Sequence, residues 1–340
     1  MLTETIMSKL IRIALPVIAG FALGLPAATA QAPAAPAIET LAAEHVRDST
    51  LHRYIEGKST RETVDELLEA LESNPAFAPG TSGRAWALRG LASARPAQQQ
   101  ISDGRQVSVL LRAAVDPQES PSVRSAVIRA FLAIDSMYDR SVDDVLLGLL
   151  SDSSVGVVSA ALASAAFRGG GDERWLPTLR QLMQTREIED PLADRFAGFG
   201  MDLLSPLRRK AAELYGLSAS PRQTLDLTRK SPPEDASIYG FALTRPLTAD
   251  AGPFWESDLV VQTQWLDELG AMAASPAGQF VAENAAIPLL ALVAGRAPAL
   301  LPRCTALAAD AAAAHRGSDK LQQWAEVFAG WATEDEDAER

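Results

Sequence analysis

The sequence predicts an all-α protein, an α-solenoid of stacked helix pairs followed by a C-terminal helical extension. The main observation is an internal repeat, because residues 83–91, 123–131 and 207–215 align with one another. Each stretch opens with a small or apolar residue, continues with an arginine and closes eight positions later on a bulky apolar residue. Self-similarity of this kind is typical of repeat architectures, in which stacked units share one core.

A shorter helix is predicted before each repeated stretch. Residues 64–71 precede the first stretch, residues 107–114 precede the second, and residues 145–152 match 109–116. Apolar residues spaced at i, i+3, i+4 and i+7 give each helix one inward stripe. Since a helix pair this small cannot bury its stripe alone, we expect the pairs to stack side by side.

The spacing of the repeated stretches predicts one further helix without an arginine. The three arginines Arg84, Arg124 and Arg208 lie 40 and 84 positions apart, and the second gap is two repeats of about 42 residues. The missing helix is residues 155–163, where Gly156 occupies the position that we align with the arginines. A helical insert at about residues 190–204 separates it from the next repeat.

These features resemble the HEAT-repeat family, most closely its short bacterial variety. The matching features are the aspartates Asp116 and Asp152 before the second helix, and the pairs Val123-Arg124 and Leu207-Arg208. The resemblance covers roughly residues 60–217. It implies an α-solenoid in which the repeated arginine pairs with a turn carboxylate such as Asp116 or Asp152, and it says almost nothing about function.

Proline, glycine and charge patterns divide the rest of the chain. Residues 228–255 contain Pro232, Pro233, Pro246 and Pro253, which should prevent either neighbouring helix from continuing, so a long loop is predicted there. The predicted segments are a signal peptide (1–30), a flexible leader with a possible cap helix (31–57), HEAT-like repeats (58–227), a Pro/aromatic loop (228–255), C-terminal helices (256–332) and an acidic tail (333–340). Four C-terminal helices are expected at about 256–273, 277–293, 299–314 and 319–331.

The N-terminus has the pattern of a secretory signal peptide. Lys9 and Arg12 supply the positive region, residues 13–25 are uncharged and mostly apolar, and residues 28–30 form a small-x-small cleavage site. Cleavage would change the net charge from −12 to −13, because residues 1–30 carry a net charge of +1. A periplasmic or secreted protein this acidic is a poor partner for nucleic acid, and no membrane insertion is expected after cleavage. The single cysteine, Cys304, excludes an internal disulfide.

No motif for catalysis, cofactor binding or metal binding stands out. The chain has no phosphate-binding loop, dinucleotide fingerprint, paired CxxC or HExxH motif. Of the three histidines, His45, His52 and His315, only His45 and His52 lie near each other in the sequence, and two ligands are too few for a zinc site, which takes three or four. We therefore predict no catalytic, cofactor-binding or metal-binding residues and no cofactor.

The remaining candidate residues indicate binding to another protein. Arg84, Arg124 and Arg208 are interpreted as a structural ladder, whereas the aligned Arg89 and Arg129 are expected to face the concave surface of the solenoid. Tyr239 and Trp255, in the predicted loop, are further candidate anchors.

The predicted function is an exported, non-enzymatic protein-binding scaffold. One alternative is an enzyme, or an accessory subunit of an exported enzyme complex, with its site under residues 228–255. Another alternative is a carrier of a small apolar ligand between the C-terminal helices.

The signal-peptide pattern generates the first testable prediction. The mature protein should begin near Gln31, because cleavage follows the small-x-small site at residues 28–30. N-terminal sequencing of the protein from the exported fraction checks this. A major species that retains residues 1–12 would contradict it.

Overall fold

The computed structural model shows that the described part of the chain is all-α, as the sequence predicted. It describes residues 37–338 except for 43–46, 96–99, 186–203, 231–235, 250–251, 276–277 and 280–281. Among these residues there is no β-strand, only an isolated parallel bridge between Ile101 and Ile134. No helix in the described ranges is long and apolar enough to span a membrane. The predicted signal peptide, most of the leader and nearly all of the predicted insert lie outside the described residues.

The α-helices are numbered in chain order. They are α1 Asp48–Glu56, α2 Thr60–Ser73, α3 Ser82–Ser93, α4 Gly104–Val115, α5 Pro121–Ala130, α6 Asp139–Leu149, α7 Val155–Phe167, α8 Leu176–Gln184, α9 Leu204–Ser218, α10 Pro221–Arg229, α11 Ala236–Thr248, α12 Leu259–Ala274, α13 Ile287–Arg296, α14 Leu301–Ala314 and α15 Asp319–Ala338. Short 3₁₀ turns are Ile38–Ala42, Pro75–Phe77, Phe131–Ala133, Ser136–Tyr138, Glu173–Trp175 and Pro298–Leu300, and a π-helical turn, Ala282–Ala286, precedes α13.

The described residues form two compact units, one ending at Trp265 and the other beginning at Leu266. In the N-terminal unit each first helix (α2, α4, α6, α8, α10) packs on the second helix that follows it (α3, α5, α7, α9, α11). Each second helix also packs on the next second helix along the chain. The C-terminal unit packs α14 against α13 and α15, and Cys304 lies buried within it.

Side-chain caps start several of these helices. The Ser220 and Gln223 side chains form a capping box at the start of α10, and Ser59 and Glu62 form another at the start of α2. At α5 the Ser120 side chain accepts from the amide of Val123, with proline at the first helical position. Each cap satisfies an amide that the helix itself cannot bond.

The second helices share one burial pattern, which sets their register. In each nine-residue window the first, fifth, sixth, eighth and ninth residues are buried. The windows are 83–91, 123–131, 157–165, 207–215 and 239–247. The arginines Arg84, Arg124 and Arg208 hold the second position of their windows, and Val158 and Gly240 hold it in α7 and α11.

This register corrects the alignment of α7. The sequence comparison placed Gly156 at the arginine position, but the structure places Val158 there, two residues later. The helix-capping residues agree, because Ser120 precedes Arg124 by four positions and Ser154 precedes Val158 by four. Nearly every residue of α7 is small or apolar, so its sequence fits several registers equally well.

The prediction of a loop over residues 228–255 is wrong. Helix α11 occupies Ala236–Thr248 and contains Pro246 near its end. A proline inside a helix cannot bond the carbonyl four residues earlier, here Ala242, and its ring crowds that carbonyl. The Ala242 carbonyl instead lies against Gly216 of α9, where a Cβ atom would overlap it. The missing side chain of Gly216 thus makes room for the carbonyl of Ala242 where α9 and α11 meet.

Two predictions about the chain ends also need correction. Residues 333–340 were expected to form a solvated acidic tail beyond the last helix, but α15 continues as far as Ala338, so the predicted end of that helix at about residue 332 is wrong. Glutamate and alanine are strong helix formers, so charge alone does not end a helix. Instead of one cap helix over residues 39–57, the described residues there form a 3₁₀ turn, Ile38–Ala42, and α1. The predicted C-terminal helices match α12 to α15 within a few residues at most boundaries, although α13 begins about ten residues later than expected.

We expect Gly216→Ala to destabilise the N-terminal unit. The added methyl would collide with the Ala242 carbonyl and force α9 and α11 apart, a form of overpacking that costs about 1–3 kcal/mol. Gly148→Ala is the matched control, because Gly148 lies in helix α6 and a methyl added there would meet no neighbouring atom. The control should be neutral or stabilising by about 0.5–1 kcal/mol. Denaturant unfolding followed by circular dichroism measures both. Equal stability of the two variants would contradict the close approach.

Candidate functional site

Two of the three repeated arginines link neighbouring helix pairs. Arg84 of α3 forms an ion pair with Glu119, in the turn between α4 and α5. Arg124 of α5 forms one with Asp152, between α6 and α7, with 2.5 Å between Nη2 and Oδ2. Each arginine therefore reaches the turn of the following pair, and Arg124 is buried.

Two of the repeated arginines, Arg124 and Arg208, also bind the end of their own first helix. The Nε of Arg124 donates to the carbonyl of Ala114 at 2.8 Å, and the Nε of Arg208 donates to the carbonyl of Met183 at 2.6 Å. These carbonyls lie in the last turns of α4 and α8, where helix carbonyls lack partners and the macrodipole is negative. One guanidinium thus holds a first helix, a second helix and, at Arg124, the next turn together.

The sequence anticipated Asp152 as a partner but missed Glu119. Asp116 was the other carboxylate suggested by the family resemblance, yet its side chain accepts from the amide of Gln118 within its own turn. Glu119 directly precedes the N-cap Ser120 and is nearly buried, at 5 % exposure. An acidic residue just before an N-cap serine was the available signal.

A cavity lies where the arginine ladder is interrupted. Its volume is about 340 Å³. It is lined by Leu150, Ser151, Asp152, Ser153, Val155, Val158, Thr178, Gln181, Leu182, Thr185 and Leu207. Val158 is the residue at the arginine position, and a valine cannot form the ion pair that arginine forms there in α3 and α5. Among the described lining residues Asp152 is the ionisable one, and Arg124 already neutralises it.

The seventh position of each second-helix window is exposed or partly exposed and carries the predicted interaction arginines. Arg129 is exposed, and Arg89 is partly exposed, 4.0 Å from Asp48 and over the Trp86 ring at 5.1 Å. The structure adds Arg245 of α11, exposed at the same position. The sequence comparison missed Arg245 because α11 has no arginine at its second position and lay in the predicted loop.

Glu213 of α9 holds the same seventh position and is the acidic exception. Burial raises the pKa of this carboxyl above its usual range, and the charges of Arg245, Arg209 and Lys210 act in the opposite direction. Glu213 therefore lies among cations from α9 and α11.

The two aromatic candidates, Tyr239 and Trp255, differ in their exposure. Tyr239 is 3 % exposed and holds the buried first position of its window, so the prediction that it anchors a partner is wrong. Trp255 is partly exposed and packs its ring edge-to-face on Phe254, with centroids 4.9 Å apart. Its role as a partner anchor stays a prediction.

The two histidines that the structure describes and the cysteine have no arrangement typical of a functional site. His315 is buried with its Nε2 2.8 Å from the carbonyl of Ala273, and exposed His52 lies 3.4 Å from Glu56. His45 falls outside the described residues. Burial raises the pKa of the Cys304 thiol to about 12. Within the described ranges, no three His, Cys, Asp or Glu side chains gather as metal ligands.

Comparison with protein-family models and with curated proteins gives no match to this chain. Function must therefore be inferred from the arrangement of the chain's own residues. Those residues define two features of the N-terminal unit: a buried arginine ladder inside, and an exposed row of mostly basic residues along its second helices.

We expect Arg124→Ala to destabilise the protein more than Arg129→Ala. Removing Arg124 leaves Asp152 and the Ala114 carbonyl without their partner, at a cost of about 1–4 kcal/mol. Arg129 is exposed and forms no ion pair with other described residues, so its removal should cost less than about 0.5 kcal/mol. Thermal unfolding of both variants makes the comparison. Equal, negligible shifts in Tm would contradict a structural role for the ladder.

Proposed function

We propose that the chain is an exported HEAT-like α-solenoid that binds another protein through its helical surface and catalyses no reaction. The observation that carries this proposal is the common register of the second helices, with an arginine link at the same place in three of them. Such a unit contacts mainly its neighbours along the chain, which is the organisation of solenoid proteins. Solenoids present extended surfaces that suit protein partners.

The position of the interaction residues favours this function over its alternatives. The enzyme alternative depended on a long loop over residues 228–255, and helix α11 occupies much of that stretch. The carrier alternative places its ligand among the C-terminal helices, and the 340 Å³ cavity beside Val158 does not support it, because that cavity lies in the N-terminal unit. The exposed seventh positions instead recur from helix to helix and so form one row that an extended partner can follow.

The proposed location is the periplasm or the exterior of the cell. It rests on the charge and hydropathy pattern of residues 1–30. We further propose that the partner shares this compartment and is neither a nucleic acid nor a lipid bilayer, since the chain is strongly acidic.

Site-specific photo-crosslinking tests the proposed function. A photoreactive residue replaces Ala163, an exposed and uncharged member of the second-helix row, in the protein expressed in its native cell. The control replaces Ser108, an exposed residue of the first helix α4. We expect Ala163 to capture one defined protein that Ser108 does not. The proposal fails if neither position captures a protein, or if both capture the same mixture.

A further inference from the structure

We propose that the second-helix face of the N-terminal unit binds an acidic polypeptide segment. This face comprises the exposed residues of α3, α5, α7, α9 and α11. The inference rests on the proposed function and names the chemical class of the partner. It comes from the concentration of basic residues on the second helices of the N-terminal unit.

The second helices carry almost only basic charge. The whole chain has 43 acidic and 31 basic residues, so a random set of its helices would be acidic on balance. The charged residues of the five second helices are Arg84, Arg89, Arg124, Arg129, Arg208, Arg209, Lys210, Glu213 and Arg245. Glu213 is the one acidic residue among them. A basic surface on an acidic protein is electrostatically complementary to an anionic partner.

Ladder and face arginines differ in what they contact. Arg84 and Arg124 already form ion pairs with the buried or nearly buried carboxylates of Glu119 and Asp152. Among the described residues, no carboxylate lies within ion-pair distance of Arg129, Arg209 or Arg245. The charges of these three arginines therefore remain available at the surface.

Contacts between neighbouring second helices show that the face is continuous. The Nζ of Lys210 in α9 donates to the Oγ of Ser159 in α7 at 3.0 Å. The guanidinium of Arg209 lies over the ring of Phe241 in α11, 4.5 Å from its centroid. Basic groups of α9 thus reach both neighbouring helices, and the face runs across them without an intervening turn.

The first helices of the same unit are less basic as a group, because α2 and α6 are acidic on balance whereas α4, α8 and α10 each carry a small positive charge. The acidic residues of α2 and α6 are Glu62, Asp65, Glu66, Glu69, Glu72, Asp139, Asp143 and Asp144. Arg61 and Arg140 are the basic residues of these two helices. An acidic segment is therefore drawn to the second helices and repelled from α2 and α6.

The acidic segment is favoured over a nucleic acid by chemistry and by length. Guanidinium groups bind carboxylates through two parallel hydrogen bonds, and the face supplies arginine at most of its charged positions. A long polyanion would extend beyond the face into the field of a chain whose net charge is −12. Packed helices lie about 8–10 Å apart, so an extended segment of about 12 residues would cross the five second helices.

The test uses a fluorescein-labelled oligoglutamate peptide of about 12 residues, matched to that span. Fluorescence anisotropy at low ionic strength should show saturable binding that weakens as salt is added. The variant Arg129→Glu with Arg245→Glu should weaken binding about tenfold or more. The control, Arg105→Glu with Arg112→Glu, makes the same charge change on exposed residues of the first helix α4 and should stay within about twofold. Circular dichroism confirms that both variants fold.

Three outcomes would overturn the inference. They are absence of saturable binding at low salt, equal weakening by the two charge-reversal pairs, and tighter binding of a thymidine oligonucleotide of the same length at the same arginines. The last would identify a nucleic-acid face instead. If the oligoglutamate peptide fails but the photoreactive residue at position 163 still captures a protein, this inference falls and the proposed function stands.

Discussion

The N-terminal unit depends on a buried guanidinium that serves several partners at once. Arg124 neutralises Asp152 of the following turn and bonds the carbonyl of Ala114 at the end of its own first helix. Taking a charge out of water is costly, and the cost is recovered only when ion pair and hydrogen bonds are all present. The arginine therefore fixes the position of its own first helix and of the turn in the following pair. Apolar packing alone would fix these positions less strictly.

Helix geometry separates this structural charge from the charge available for binding. The second and seventh window positions are five residues apart, which on an α-helix is a rotation of about 140°. Arg124 can thus point toward the turn and the buried interface while Arg129 lies at the surface of the same helix. The same offset relates Arg84 to Arg89. One side of a repeated helix can then bind the neighbouring helices, and another side can present a basic surface.

The repeat tolerates two departures from this plan. In α7 the ladder position is Val158, and a cavity of about 340 Å³ lies beside it. In α11 the ladder position is Gly240, and the cohesion comes instead from the close approach of the Ala242 carbonyl to Gly216. Dispersion and backbone contacts at short range can replace an ion pair there, because no side chain holds the two helices apart.

The sequence by itself determined most of the helices and the identity of the ladder arginines, because these follow from local periodicity and from residues that recur at fixed spacing. Only the tertiary structure decided the register of α7, the partner role of Glu119, the existence of α11 and the burial of Tyr239. Each of these depends on which residues meet across helices far apart in the chain. Pro246 shows the physical reason: read locally it breaks a helix, but a neighbouring glycine makes room for the carbonyl that it leaves unbonded.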